Sequence, residues 1–310
     1  MSRRRVAFSP YSFLLSSGQP ALLALYQRGL RLRRRLLTGV LAPARAALLD
    51  RLRERFAHQR AGVSSRSEAI ARSLDDHGVV TLSPPRFLDL LDPERRAVLA
   101  GLAARVSLPD FWRGASSLEG DQLLELDPAI WRLGLAPVLL DAAETYFGLP
   151  CFYLGAALKH ERADGRATGT RQWHLDIEDE RMLRLIVYLR EVAPGGGPFE
   201  HLDAQTSAEW ARRSNYRSGY VTDQNMDPVG RAGRPVYGEA CQAIFFDGVR
   251  VFHRAQPPRE ADRYSITFTY VTRWPLQLNP TAQLSPSWRR RMAAELDERE
   301  RGCLPPPRRL

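Results

Sequence analysis

Lysine is almost missing from this chain. Lys159 stands alone among 45 basic residues in 310, so the other 44 are arginine. A phosphate-binding loop of the G-x-x-x-x-G-K-[ST] type needs a lysine after glycine, and Lys159 follows Leu158. A Schiff-base enzyme would have to use Lys159 itself. Cysteine is scarce too. Cys151, Cys241 and Cys303 are odd in number, far apart and without C-x-x-C spacing, which argues against a disulfide framework or a thiolate zinc site and for a reducing, cytoplasmic compartment. No apolar run approaches the length needed to span a bilayer. The opening MSRRR with Phe13, Leu14 and Leu15 imitates a signal peptide, but Ser16, Ser17, Gly18 and Pro20 interrupt it and no clear small-residue cleavage site follows. It reads as a retained segment.

What is present suits a globular protein: 44% hydrophobic and 9% aromatic residues are ample for a buried core. The charge is unevenly placed. Residues 1–60 hold 13 arginines against Asp50 and Glu54, a balance of +11, while residues 61–310 come to −1. The sequence therefore divides into a basic helical extension (1–60), a nearly neutral body (61–275) and a C-terminal helix and tail (276–310). In the extension, Leu22, Leu25, Tyr26, Leu30, Leu36, Leu37, Val40, Leu41, Leu48, Leu52 and Phe56 recur at helical spacing, with Gly39 and Pro43 splitting two helices. Two helices laid on the body with arginines in water is one reading; contact with an anionic membrane surface or nucleic acid is the other.

Ser65 to Glu68 reads as a capping box opening a helix, and Asp92-Pro93 and Asp127-Pro128 open others. After Gly148 the segments CFYLGAALKH, LRLIVYL, QAIFFD, VRVFH and RYSITFTYV are short and β-branched or aromatic. Helices first and strands later predict an α+β protein whose strands make a sandwich or barrel. Ser285-Pro286 opens a last helix ending near Gly302, before a frayed PPPRRL tail.

The chemically informative stretch is QWHLDIEDE, residues 172–180. His174 and Asp176 are two apart, so in an extended segment their side chains leave the same side of the backbone. His253, in VFHR, can supply a third ligand. Two histidines and one carboxylate leave one face of Fe(II) open, the arrangement of non-haem iron oxygenases. Alone the tripeptide is weak: six histidines and 35 acids in 310 residues give about 0.7 chance matches. A decoy exists in His201-Leu202-Asp203. Beyond His253 come Arg263 and Ser265, whose i, i+2 relation puts a guanidinium and a hydroxyl on one strand face, suited to the distal carboxylate of a small diacid. Lys159, one strand upstream, either helps bind that cosubstrate or caps its strand. Trp173 and Tyr188 are pocket-lining candidates that compete with plain core packing. Residues 203–239, with Asn215, Tyr216, Arg217, Tyr220 and Asn225, read as a substrate-covering loop or a surface insertion.

The run WHLDIEDERMLRLIVYLREVAPGGGPFEHL, followed by FFDG, FHR and RYSITFTY, resembles the phytanoyl-CoA dioxygenase family of iron and 2-oxoglutarate-dependent oxygenases over roughly residues 68–275. The resemblance implies a double-stranded β-helix (cupin-like jelly roll), Fe(II) at His174, Asp176 and His253, and 2-oxoglutarate anchored by Arg263 with help from Ser265. It selects WHLD over the decoy. The P-G-S-H turn of many members is absent, GGGPFEHLDAQTS standing in its place. Asp176 occupies the position where related halogenases carry a small residue, so hydroxylation or another oxidation of a small organic substrate, with succinate and carbon dioxide as co-products, is what the resemblance implies. Two rivals stand beside it: a catalytically degenerate jelly-roll binding protein held by its basic helices, and a cupin-type metalloenzyme needing no keto acid.

Overall fold

Gly148 adopts φ +64°, a left-handed backbone that glycine accepts without strain, and ends the helix Pro137–Phe147. The longest strand, Cys151–Glu161, begins three residues later. A computed structural model describes residues 20–58, 62–108, 110–112, 114–226, 228–278 and 284–306. The opening segment read as a retained leader, residues 1–19, and the last four residues of the tail lie outside them.

Among the described residues the strands are β1 (Val79–Leu82), β2 (Ser117–Glu119), β3 (Cys151–Glu161), β4 (Met182–Tyr188), β5 (Phe199–His201), β6 (Arg234–Val236), β7 (Ala243–Asp247), β8 (His253–Ala255) and β9 (Arg263–Thr272). They form two antiparallel sheets, β1-β7-β4-β9-β3-β2 and β6-β5-β8. A further bridge, His174 to His253, adds the 173–174 segment beside β8. From β3 to β5 and again from β7 to β9 the chain therefore alternates between the large and the small sheet.

Strand periodicity sorts the large sheet's faces. Leu183, Leu185 and Val187 of β4, with Phe245, Phe268 and Tyr270, join the main core with Ile70, Leu74, Leu139 and Leu140 of the covering helices. On the opposite face Ile244 and Phe246 pack with Phe199 of the small sheet, and the Phe199 and Phe246 rings lie 4.6 Å apart. Between the sheets the polar members of the same strands gather: Lys159, Arg184, Ser265 and Thr267. A one-residue register slip would bury these groups in the helix layer, so the pattern fixes the register.

Helix starts follow local chemistry. Asp92 and Asp127 accept backbone N–H groups of Arg95 and Ala129, both at 2.9 Å. The helix Ser65–His77 is capped one residue earlier than its sequence suggests, by Ser64 accepting from Ser67 N at 3.1 Å. The expected single C-terminal helix is two, Pro286–Glu295 and Glu298–Gly302, because Asp297 and Glu300 form a capping box that restarts the chain.

The N-terminal helices Pro20–Thr38 and Ala42–Ala57 are separated at Gly39, but the second is part of the body. Leu49 is 2% exposed in the main core. Arg45 is buried, donating to Asp179 at 3.2 Å and to the Trp274 carbonyl at 2.8 Å. Not every arginine of this segment lies in water, because a carboxylate and a free carbonyl beneath the helix replace the hydration of this one. Among the described residues no helix is long and apolar enough to cross a membrane.

Candidate active site

His174 and His253 are direct cross-strand partners: each backbone N–H donates to the other's carbonyl at 3.1 Å. That pairing sets the two imidazoles side by side, ring centroids 4.3 Å apart. Asp176 follows two residues on, its N–H donating to the Gly248 carbonyl at 2.8 Å in the turn between β7 and β8. Its carboxylate oxygens lie 4.0 Å from His174 Nε2 and 3.9 Å from His253 Nε2. One ligand atom from each of the three residues falls within 4.8 Å of the others.

Protonation suits a cation. Each Nδ1 faces a carbonyl, Gln172 at 2.9 Å and Val251 at 3.0 Å, so Nδ1 carries the hydrogen and Nε2 keeps its lone pair. Burial pushes the His253 imidazole down to about 3, with His174 adding to the effect, and burial lowers His174 too. Burial opposes ionisation of Asp176, but Arg184 and the two imidazoles together hold its carboxyl below the usual range. Asp176 Oδ2 is buried and ion-pairs with Arg184. Two neutral imidazoles and a carboxylate make a fitting donor set for a divalent metal.

Arg184 is the residue that sequence reading missed. It lies on β4 with Nε 2.6 Å from Asp176 Oδ2 and Nη2 3.2 Å from Oδ1. The only signal was its parity: an arginine on the inner face of an otherwise apolar strand.

The proposed cosubstrate residues share this space. A cavity between the sheets is lined by Lys159, His174, Arg184, His253, Arg263 and Ser265. Register explains the grouping, since Lys159 lies opposite Ser265 and Glu161 opposite Arg263 across β3 and β9. The Arg263 guanidinium is not free: it donates to the Gly197 carbonyl and pairs with the Glu161 carboxylate, leaving Nε buried and unpaired. No described residue hydrogen-bonds or ion-pairs with the Lys159 ammonium, which burial, with Arg184 and Arg263 nearby, lowers to about 8. An adjoining cavity of about 290 Å³ opens on the Asp176 side, walled by Glu119, Glu178, Thr267, Thr269 and Tyr220.

Three expectations are corrected. Trp173 faces Leu202, Met226 and Phe252, its indole N–H donating to Asp223 at 3.1 Å and Arg254 stacked 4.7 Å over its ring. It points away from the cavities because it neighbours His174 in an extended segment, where successive side chains take opposite faces. Tyr188 lies deep between the sheets, its hydroxyl donating to the Val236 carbonyl at 2.7 Å and accepting Phe199 N–H at 2.8 Å. It ties β4 to the small sheet. Residues 203–239 are no plain loop: they hold the helices Ala204–Arg213 and Asp223–Met226 and strand β6, with Tyr220 edge-on to His174 at 5.2 Å.

The decoy separates for a geometric reason. His201 is cross-strand from His253 on β5, but it is not in the group whose ligand atoms converge within 4.8 Å. Asp203 is the N-cap of the helix Ala204–Arg213, accepting Thr206 N–H at 2.8 Å. Of the two HLD acids it is therefore Asp176 that lies at the centre.

No protein-family profile matches the chain. No curated protein matches it either. Among solved structures, the non-heme alpha ketoglutarate dependent epimerase SnoN from nogalamycin biosynthesis is 17% identical, covering 67% of this chain and 84% of its own, at a TM-score of 0.45. HygX from Streptomyces hygroscopicus, with nickel and 2-oxoglutarate bound, is 14% identical over 68% of this chain and 88% of its own, TM-score 0.45. EctD from S. alaskensis, with 2-oxoglutarate and 5-hydroxyectoine, is 18% identical over 68% and 76%, TM-score 0.45.

Proposed function

We propose that this chain is an Fe(II)- and 2-oxoglutarate-dependent dioxygenase on a double-stranded β-helix of the phytanoyl-CoA dioxygenase type, oxidising a small organic substrate. The observation that carries the reading is the convergence of His174, Asp176 and His253 in one buried group whose two Nε2 atoms have no competing hydrogen bond. These three residues would hold the iron, which when bound supplies the activation of O2 that couples decarboxylation of 2-oxoglutarate, to succinate and carbon dioxide, with oxidation of a substrate C–H bond.

The remaining work falls to the chain. Gln172 and Val251 carbonyls fix the imidazole tautomers, and Arg184 orients the Asp176 carboxylate from behind. Lys159 and Ser265, opposite each other on β3 and β9, receive the distal carboxylate of the keto acid. Arg263 joins them by exchanging Glu161 for the incoming carboxylate on its planar fork. Phe199, Phe246 and Ile186 line the same cavity and keep water from it.

Anaerobic titration with Fe(II) and 2-oxoglutarate tests this reading, with a weak visible absorption band that requires both as the expected result. His174→Ala, Asp176→Ala and His253→Ala should each abolish the band and 2-oxoglutarate turnover, and His201→Ala should keep them. Iron loss in His201→Ala with retention in His174→Ala would overturn the assignment. Arg263→Lys keeps charge but not the fork, so it should raise the 2-oxoglutarate requirement about tenfold at unchanged Fe(II) affinity. An unchanged requirement would favour the metalloenzyme that needs no keto acid.

A further inference from the structure

Two cysteines far apart in sequence meet in the fold, well away from the candidate active site. Cys151 is the first residue of β3, paired with Thr272, and Cys303 caps the last helix, Glu298–Gly302. Both are fully buried, and their sulfurs lie within 4.8 Å of each other. The main chains are tied as well, since Tyr153 N–H donates to the Cys303 carbonyl at 2.8 Å. This hydrogen bond brings the end of the chain alongside the start of β3, so the thiols are not in passing contact.

Glu144 completes the group and raises the alternative of a metal site. The surroundings disfavour a cation. One Glu144 oxygen already accepts from Arg299 at 2.9 Å, Arg299 also pairs with Asp141 at 2.6 Å, and Arg273 flanks Cys151 as a second positive charge. A divalent ion would have to share the Glu144 carboxylate with Arg299 and sit among guanidinium groups. A disulfide is neutral, compact and apolar, and needs neither.

We propose that Cys151 and Cys303 are a disulfide-forming pair, oxidised by a low-molecular-weight disulfide, whose bond staples the C-terminal segment to the first residue of β3. The Cys303 thiolate attacks one sulfur of the reagent and releases the first small thiol; Cys151 then displaces the second from the mixed disulfide. Two S–H bonds and the reagent's S–S bond are lost and one protein S–S bond forms. Both protons and both electrons leave on the two small thiols. Both thiols are buried and shielded, and the Cys303 contact together with burial raises the Cys151 thiol and holds it protonated, so the exchange proceeds during folding or when the short terminal helix opens locally. Cys241 is half-buried in the turn before β7, its N–H donating to the Tyr188 carbonyl at 2.7 Å, and takes no part.

The test incubates the full-length protein with oxidised glutathione, then denatures, alkylates and maps peptides without reduction. Expected are a Cys151–Cys303 cross-linked peptide, alkylation at Cys241 alone, and a rise in Tm of about 5 °C that dithiothreitol reverses. Cys241→Ser should retain the cross-link and Cys303→Ser should lose it. Peptide mapping of the unmodified sequence needs no variant to fold. Three alkylated cysteines, or stable glutathione adducts in place of the cross-link, would overturn the proposal. So would a cross-link without a gain in Tm, or equimolar Zn(II) uptake that shields both thiols from alkylation.

Discussion

Gly248 shows how closely the candidate centre is built at the scale of one residue. A Cβ added there would land on the Asp176 carboxylate, whose N–H already donates to the Gly248 carbonyl. Gly248→Ala should therefore displace the carboxylate and weaken Fe(II) binding at least about tenfold, with circular dichroism close to that of the parent. Equal Fe(II) affinity in the two proteins would show that Asp176 does not hold the metal. Beside it Asp247 is a buried acid that burial raises to about 6, although Tyr146 donates to it at 2.5 Å. Its folded value lies above the ordinary aspartate value of about 3.9, so between those values the folded protein keeps a proton that the unfolded chain has released. Its contribution to stability therefore falls as pH rises from about 4 to 6 and is level above. Asp247→Asn should remove roughly 2–3 kcal/mol of that decline, read as denaturant midpoints across the window. A slope identical to the parent's would place the titration elsewhere.

At the scale of elements, the two HLD tripeptides have opposite fates. In the first, the extended backbone pairs with β8 and aims His174 and Asp176 inward. In the second, the chain leaves β5 and turns at once into a helix, so Asp203 caps that helix instead. Asp203→Ala should cost about 1 kcal/mol of stability by chemical denaturation and leave Fe(II) binding unchanged. Loss of iron in that variant would return the decoy to consideration.

For the whole molecule, the N-terminal helices matter more than their surface charge suggests. Arg45 reaches the Asp179 carboxylate, which also accepts from Thr272 N–H and Oγ1 at 2.9 and 2.7 Å. Asp179 lies in the QWHLDIEDE run, three residues past Asp176, so the first helical pair braces the segment that carries the candidate ligands. Arg45→Ala should lower stability by about 3 kcal/mol, because it leaves a buried acid without its cation. Deleting residues 1–60 should do at least as much, with a lower Tm as the readout. A truncated protein as stable as the full chain would restore the boundary at residue 60.

The amino-acid order by itself determined much of this. Local chemistry marks the caps at Asp92 and Asp127, the stop at Gly148, the change from helices to strands beyond it, and the H-x-D and R-x-S pairs whose even spacing puts both members on one strand face. Such features depend on neighbours in sequence, which a reader of the sequence has in hand. The resemblance, more than spacing, preferred one HLD over the other. What only the tertiary structure decided involves partners far apart in the chain. Arg184 behind Asp176, Glu161 on the Arg263 fork, Arg45 on Asp179, Tyr188 tying the two sheets and Cys303 against Cys151 each depend on strand register or helix docking. No sequence period encodes those contacts. They arise when non-local strands pair, and a buried charge or thiol is then assigned by whichever group the register brings opposite it.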